Sequence, residues 1–451
     1  MGLRPAVTFL ATALLLAVGA CGGGEKTPAA AGDSAATLAA CPGDNGGLTL
    51  PPGFCATIFA DSLGHARHIA VSGSGDVFVN TWSGRYYQTP PPDGGFIVAM
   101  RDTTGDGRAD VIERFGDTPA AKGTGGTGLA MHNGMLYAEA GDQIVRYALD
   151  ASKLAPTAAA EVILTRLPIT GGHPMHPFAI DSSGTMYVNS GSSSNSCQVK
   201  ERTLESKGQQ PCAELSTRAG VWRYDGNKTN QRFSPSERLA TGIRNAVGLA
   251  IGLDGALYTT QHGRDQLAEN WPKLYTPEQG QEQPAEELLK VEQGDDFGWP
   301  TCYYDTKQQK RVLAPEYGGD GGTAVGECAN KKAPVAVFPA HWAPNDLLFY
   351  RGTHFPARYR GGVFIAFHGS WNRAPGPQEG YKLVFLPFAN GASTATHEDF
   401  ADGFAGGTKQ PDRADHRPVG LAEGNDGALY VTDDRSGRVW RITYGPAAAA
   451  K

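Results

Sequence analysis

The chain has 451 residues, with 40 Lys and Arg against 46 Asp and Glu and a net charge of −6. That balance supplies no basic stripe for a nucleic-acid backbone, which argues against nucleic acid as a partner. With 60 Gly and 30 Pro the chain is punctuated too often for a helical protein, and short strands with many turns fit better.

The N-terminus carries an address. Arg4 supplies a positive start, and residues 9–18 form an apolar run too short to span a bilayer comfortably. Val18-Gly19-Ala20-Cys21 has the form of a bacterial lipobox, where small residues admit a peptidase that cuts before a lipid-bearing cysteine. Residues 1–20 are therefore expected to be a lipoprotein signal peptide, with an ordinary secretory signal as the alternative. Residues 21–45 are expected to be a flexible tether, because the Gly/Ala/Ser/Thr-rich stretch to Ala40 holds too little apolar surface to fold. The expected location is the periplasm or outer membrane, with membrane attachment through lipid on Cys21 only; Gly22 rather than Asp after it leans toward the outer membrane. No later segment is long and apolar enough to cross a bilayer.

Six cysteines remain beyond Cys21, in three neighbouring couples: Cys41 with Cys55, Cys197 with Cys212, and Cys302 with Cys328. An even count in an exported chain favours disulfides, although six cysteines allow many pairings. No Cys-x-x-Cys-His occurs, so a redox reaction here needs an external electron acceptor.

One phrase recurs along the chain: a Gly-containing turn followed by an alternating apolar strand. It occurs as Ser74-Gly75-Asp76-Val77-Phe78-Val79, Asn133-Gly134-Met135-Leu136-Tyr137 and Ser183-Gly184-Thr185-Met186-Tyr187-Val188. It returns as Asp254-Gly255-Ala256-Leu257-Tyr258, Arg360-Gly361-Gly362-Val363-Phe364-Ile365 and Asp426-Gly427-Ala428-Leu429-Tyr430-Val431. Such turns are strong hairpin signals, and their spacing suits a four-stranded blade with loops. Six copies predict an all-β, six-bladed β-propeller over residues 46–447, closed by a strand from one chain end. Two stacked β-sandwiches would not need the repeat. A propeller gathers one set of loops around a central funnel, where chemistry is expected.

Several motifs lie along this frame. Residues 102–113 place oxygen-bearing Asp102, Thr104, Asp106, Asp110 and Glu113 at loop positions 1, 3, 5, 9 and 12 with Gly107 at 6, the spacing that wraps calcium. The alternative is a hairpin tip with solvated acids. Gly123-Thr124-Gly125-Gly126-Thr127-Gly128 matches a nucleotide-binding pattern, but a strand follows where a helix is required, so it reads as a loop. His173-Pro174-Met175-His176 lacks a third metal ligand and reads as structural or catalytic. Arg244, Asn245, His262, Arg373 and Arg417 each stand just before or after a repeat strand, where a propeller aims residues into its funnel.

With these residues in view, the chain resembles the glucose/sorbosone dehydrogenase family, six-bladed propellers that use pyrroloquinoline quinone (PQQ) and calcium. The resemblance runs from about Phe54 to Tyr444 and rests on Gly242-Ile243-Arg244-Asn245, Gln261-His262-Gly263-Arg264-Asp265, Phe297-Gly298-Trp299-Pro300, His368-Gly369-Ser370-Trp371-Asn372-Arg373 and His416-Arg417-Pro418-Val419-Gly420. It is greater toward the sorbosone and pyranose branch than toward the soluble glucose enzymes. The resemblance implies a catalytic His173, with Arg244 and Asn245 meeting the quinone. It implies calcium on the backbone carbonyls of Gly263 and Arg264, His262 as a lining residue, and Arg417 gripping a cofactor carboxylate. Asn372 or Arg373 would replace the glucose enzymes' lysine. Asp415 stands where a second arginine would be, and Gly172 where some members carry an acid. The implied reaction is oxidation of a sugar such as an aldose or sorbosone, by hydride transfer to the quinone with His173 as base, stabilised by Arg244, and with electrons passed outward. His176 is the next candidate base. The competing expectations are a calcium-dependent sugar lactonase and a non-catalytic cell-surface binding propeller.

Overall fold

Each of the six recurrent phrases folds as the turn between the first two strands of a blade of four antiparallel strands, to which blade 2 adds a fifth, parallel one, and each turn holds its glycine at positive φ, from +72° at Gly134 to +93° at Gly75. Glycine enters that left-handed region without the Cβ clash other residues meet, so the motif marks the turn for a steric reason. A computed structural model describes Gly2, Cys41 and residues 43–83, 93–116 and 125–445. The chain divides into Met1–Thr37 and Leu38–Lys451, and the second unit contains the six large sheets and two small two-stranded ones. The expected signal peptide, the Cys21 lipobox, the tether up to Ala40 and the start of the Gly123 motif lie outside the described residues.

The large sheets are the blades of a six-bladed propeller. Their first and second strands, in chain order, are Ala66–Val71 and Val77–Thr81 (blade 1), Leu129–His132 and Met135–Ala140 (blade 2), and Phe178–Ile180 and Thr185–Ser190 (blade 3). Leu249–Ile251 and Leu257–Gln261 begin blade 4, Pro344–Phe349 and Val363–Phe367 blade 5, and Pro418–Glu423 and Leu429–Asp433 blade 6. Blade 6 takes its outermost strand from the other end of the chain. Phe54–Ala60 pairs antiparallel with Val439–Tyr444, Phe54 opposite Tyr444 and Cys55 opposite Thr443. That pairing ties both ends of the described chain into one blade and closes the ring.

Apolar residues fill the seams between blades, and neighbours along one strand serve different seams. Val77 and Val79 face blade 6, with Tyr430 and Val439, whereas Phe78 between them faces blade 2, with Leu136 and Tyr147. The seam between blades 5 and 6 is the most aromatic, bringing together Phe54, Phe355, Tyr359, Phe364, Phe385, Phe400 and Trp440. Because both faces are covered, these strands read as apolar runs rather than as clean polar–apolar alternation.

The three neighbouring cysteine couples are the disulfides: Cys41–Cys55, Cys197–Cys212 and Cys302–Cys328. Cys41 is bound to the closing strand, Asn45 Oδ1 accepts from Ala56 N at 3.0 Å, and Gly46 O accepts from Trp440 Nε1 at 3.1 Å. Asn45 and Gly46 are therefore held against blade 6.

Phe54 makes edge-to-face contacts with Phe355, Tyr359 and Phe400 at 4.8–5.2 Å between centroids. Phe54→Ala should lower the free energy of unfolding by about 3–5 kcal/mol, read as a shifted denaturant midpoint; a shift equal to that of a surface control would refute the closure role.

Candidate active site

Antiparallel pairing puts the glycine turns on one face of the ring, so the entries to first strands and the exits from second strands share the other face. The loops there enclose a funnel of about 450 Å³, lined by His173, Arg244, Asn245, His262, Gly263, Asn372 and Arg417. Position beside a repeat strand had singled out Arg244, Asn245, His262 and Arg417, and the family resemblance the other three; the fold brings all seven together. An open groove of about 820 Å³ along the outer part of blade 3 contains none of them.

His173 occupies the loop before the first strand of blade 3. Its Nδ1 lies 2.8 Å from the Ser192 carbonyl oxygen, which can only accept, so Nδ1 carries the proton and Nε2 keeps the lone pair. Burial, and then the positive charge of Arg244, hold its pKa well below the ordinary imidazole value. A neutral, oriented imidazole has the form a general base needs.

Arg244 is spread across the funnel floor. It donates through Nε to Asn195 O at 3.1 Å, through Nη1 to Gly263 O at 2.8 Å, and through Nη2 to Asn195 Oδ1 and Asp265 Oδ2, both at 3.0 Å. Asp265 also accepts from Arg202 at 2.8 Å and from Asn372 at 2.9 Å. Burial alone would raise the Asp265 pKa, but the charges of Arg244 and Arg202 outweigh it and hold the carboxylate far below its usual range. Beside it, Glu286 accepts from Gly263 N and Ala343 N, and burial pushes it up to about 8. The opposite wall is Arg417, whose Nε and Nη2 donate to the His368 and Gly369 carbonyls at 3.2 and 2.9 Å. His368 bonds Asp434 at 2.8 Å, and burial followed by the charge of Arg417 lowers it to about 4. Burial takes His262 to about 3 despite its bond to the Pro344 carbonyl.

Three expectations meet a different structure. The 102–113 loop is a blade 1 hairpin whose carboxylates are spent on the turn itself: Asp102 accepts from Gly105 N and Gly107 N, Asp106 from Arg108 N, and Asp110 from Thr103 N and Thr104 N. Glu113 sits in the strand Val111–Phe115, and no three of these acids converge within reach of one ion. Arg373 lies outside the funnel lining, its guanidinium bonded to the Gln281 and Ala340 carbonyls and to Glu282. The Arg264 side chain is bonded to buried Glu316, whereas the expectation for this residue concerned its backbone carbonyl. His176 is fully buried, 3.4 Å from Glu139, with no opening to the funnel, so it is no substitute base. The loop at Thr127 and Gly128 cradles that same Glu139 carboxylate with two backbone N–H groups at 2.8 and 2.9 Å, which accounts for its glycines without a nucleotide.

Asp265, Glu286, His341, His368 and Asp434 line the funnel without having been assigned a role from sequence. The same positional signal, the last residue or two of a second strand and the loop beyond, would have flagged Asp434 and His368.

The TrAA12-like family model matches residues 48–445. The chain belongs to that family. A PQQ-dependent pyranose dehydrogenase of Coprinopsis cinerea is 29% identical over 274 residues, covering 50% of this chain and 35% of the relative. The chain spans about half or less of the length of the curated relatives it matches. In three dimensions it matches the holo PQQ domain of the Coprinopsis cinerea pyranose dehydrogenase with a TM-score of 0.68 and 21% identity, over 88% of this chain and 97% of the other. It also matches the calcium structure of the Trichoderma reesei family AA12 carbohydrate-active enzyme, with a TM-score of 0.69 and 19% identity, over 88% and 97%. These structural matches bear on the fold, which is the one described above.

Lowered folded-state pKa values mean that His173 and His368 stay neutral as pH falls through the ordinary imidazole value, while the unfolded chain charges. Nitrogen-15 spectra of histidine-labelled protein at pH 6 should show both rings neutral, His173 as the Nδ1–H tautomer. A charged His173 at that pH would contradict the geometry.

Proposed function

We propose that this TrAA12-like chain oxidises a sugar with PQQ and calcium and passes the electrons to an external acceptor. The observation that carries the reading is His173, a neutral imidazole with a committed tautomer on a funnel whose other walls are arginines. The residues present suit the cofactor's chemistry. A tricarboxylate needs cations, and Arg202, Arg244 and Arg417 line the cavity. Asn245 Oδ1 is buried there with no hydrogen-bond partner, an acceptor left for a bound group. The Gly263 carbonyl and the Asp265 and Glu286 carboxylates are hard oxygens of the kind calcium takes.

When bound, the quinone supplies a two-electron acceptor and the calcium ion polarises it. His173 Nε2 takes the proton of the sugar hydroxyl being oxidised, while the Ser192 carbonyl stabilises the resulting imidazolium through Nδ1–H. Arg244, held by four acceptors, keeps a fixed positive charge beside that reaction and does not reorganise during it. Asp265 fixes its orientation, and Arg417 grips a carboxylate from the other wall. The lactonase alternative asks for several carboxylates on one metal, and no three converge in the described part of the funnel. Three disulfides support the accompanying proposal of export with a lipid at Cys21.

Protein reconstituted with PQQ and calcium should reduce an artificial dye when given aldoses; full quinone binding with no turnover on a broad sugar panel would overturn the assignment. Exhaustive chelation should abolish turnover, and survival of activity would remove calcium from the mechanism. His173→Ala should keep the quinone yet lose about 10²–10⁴ in turnover. Arg417→Ala should weaken quinone binding by about 1.5–3 kcal/mol and recover at saturating cofactor; recovery of His173→Ala under the same conditions would make His173 a binding residue.

A further inference from the structure

Trp371 is the one large aromatic side chain left standing in water among the described residues. It is 54% exposed and lines the funnel, whereas Trp222 and Trp440 are fully buried. An exposed tryptophan on a loose loop needs no explanation, but this loop is held tightly. Ser370, fully buried, exchanges backbone and hydroxyl bonds with Glu379 at 2.8 Å, and its carbonyl accepts from Tyr381 OH at 2.7 Å. On the other side, Asn372 is tied to Asp265 at 2.9 Å, and the Arg373 guanidinium to Ala340 O at 3.0 Å. Gly369, at φ +99°, lets the Tyr381 ring pack where a Cβ would stand, 2.4 Å away. The indole itself makes no hydrogen bond within the described residues. Its neighbours are fixed on both sides, and it is left exposed in the funnel lining.

We propose that Trp371 is the platform on which the substrate's pyranose ring stacks, an inference that rests on the funnel being a sugar-oxidising site. A pyranose with equatorial hydroxyls carries C–H bonds on its two faces and hydroxyls around its edge. A flat apolar indole matches the face, and the polar side chains beside it, Asn372, Arg202 and His341, match the edge. Depth separates the sugar from the cofactor: Arg244 and Asn245 are 4% and 3% exposed on the floor, while Trp371 stands at the open end. Because the loop is already ordered, little conformational freedom is lost when the ring docks. Trp371 is thus a specificity-determining residue, selecting pyranose rings that offer a C–H face over acyclic polyols.

The test compares the quinone-loaded wild type with Trp371→Ala and Trp371→Phe, by dye reduction and by saturation-transfer NMR with glucose, galactose and sorbitol. The expected result is a rise in the glucose KM of about tenfold or more for the alanine variant, with loss of the glucose NMR signal and substantial recovery in the phenylalanine variant. The effect should fall on KM rather than kcat, and sorbitol should show little change. An unchanged KM and NMR signal would overturn the inference, as would an effect that disappears at saturating PQQ, which would make Trp371 a cofactor contact. If the loaded wild type oxidises no sugar, the parent reading fails by itself. The NMR comparison then decides the inference: a glucose signal lost in Trp371→Ala sustains it, and no signal in wild type or no difference between the two overturns it.

Discussion

The second strand of each blade is pressed between two neighbouring blades, and most features of the molecule follow from that confinement. Leu257–Gln261, Val363–Phe367 and Leu429–Asp433 are buried along their whole length. A residue in mid-strand has no water to meet on either side, so it is apolar or fully hydrogen-bonded. Charge can accumulate only where the strands end. The glycine turn takes one end, which leaves the other for Gln261-His262-Gly263, His368 and the Asp433–Asp434 pair. Chemistry at one mouth of the ring is therefore the arrangement that the seams permit.

At that mouth the ionic groups are interlocked rather than scattered. Arg244 and Arg202 converge on Asp265, and Arg67 and His368 converge on Asp434. Removing a buried charge from water is expensive, and only close partners with satisfied hydrogen bonds offset the cost. Both aspartates are accordingly held far below the usual carboxylate range, while Glu286, which has backbone N–H groups in place of a cation, is pushed the other way. The histidines between these pairs are neutral because burial and neighbouring guanidinium groups act on them in the same direction. An array of fixed positive charge around a neutral imidazole suits an anionic redox cofactor better than a hydrolytic metal held by acids.

Membership of the TrAA12-like family and the propeller match agree on the frame, and the residues of this funnel specialise it. Two consequences are local. The 197–212 disulfide loop delivers Arg202 to the rim, where it shares Asp265 with the floor arginine. The loop beyond the second strand of blade 5 delivers Asn372 and Trp371 to the same rim, and turns Arg373 the opposite way to brace the loop from behind.

Much of the frame was legible in the linear chain. Six Gly-turn phrases each fold as a first hairpin, because the steric demand of a tight turn is local and is met by glycine wherever the turn occurs. The cysteine couples paired with their neighbours, and the position of Arg244, Asn245, His262 and Arg417 beside strand ends placed them in the funnel. What the linear chain could not decide was direction and partnership. Arg373 and Asn372 are adjacent, yet one points into the cavity and the other away, since a one-residue step in a bent loop reverses the side-chain direction. The 102–113 spacing suits a calcium loop, but a hairpin closes it and turns its carboxylates onto its own N–H groups. His173 and His176 are three residues apart, and only the packing of Glu139 decides that one lines the funnel while the other is sealed in. Turns obey local sterics, so residue order determined the fold; the site depends on which distant charges are desolvated together, and that was set by the closing of the ring.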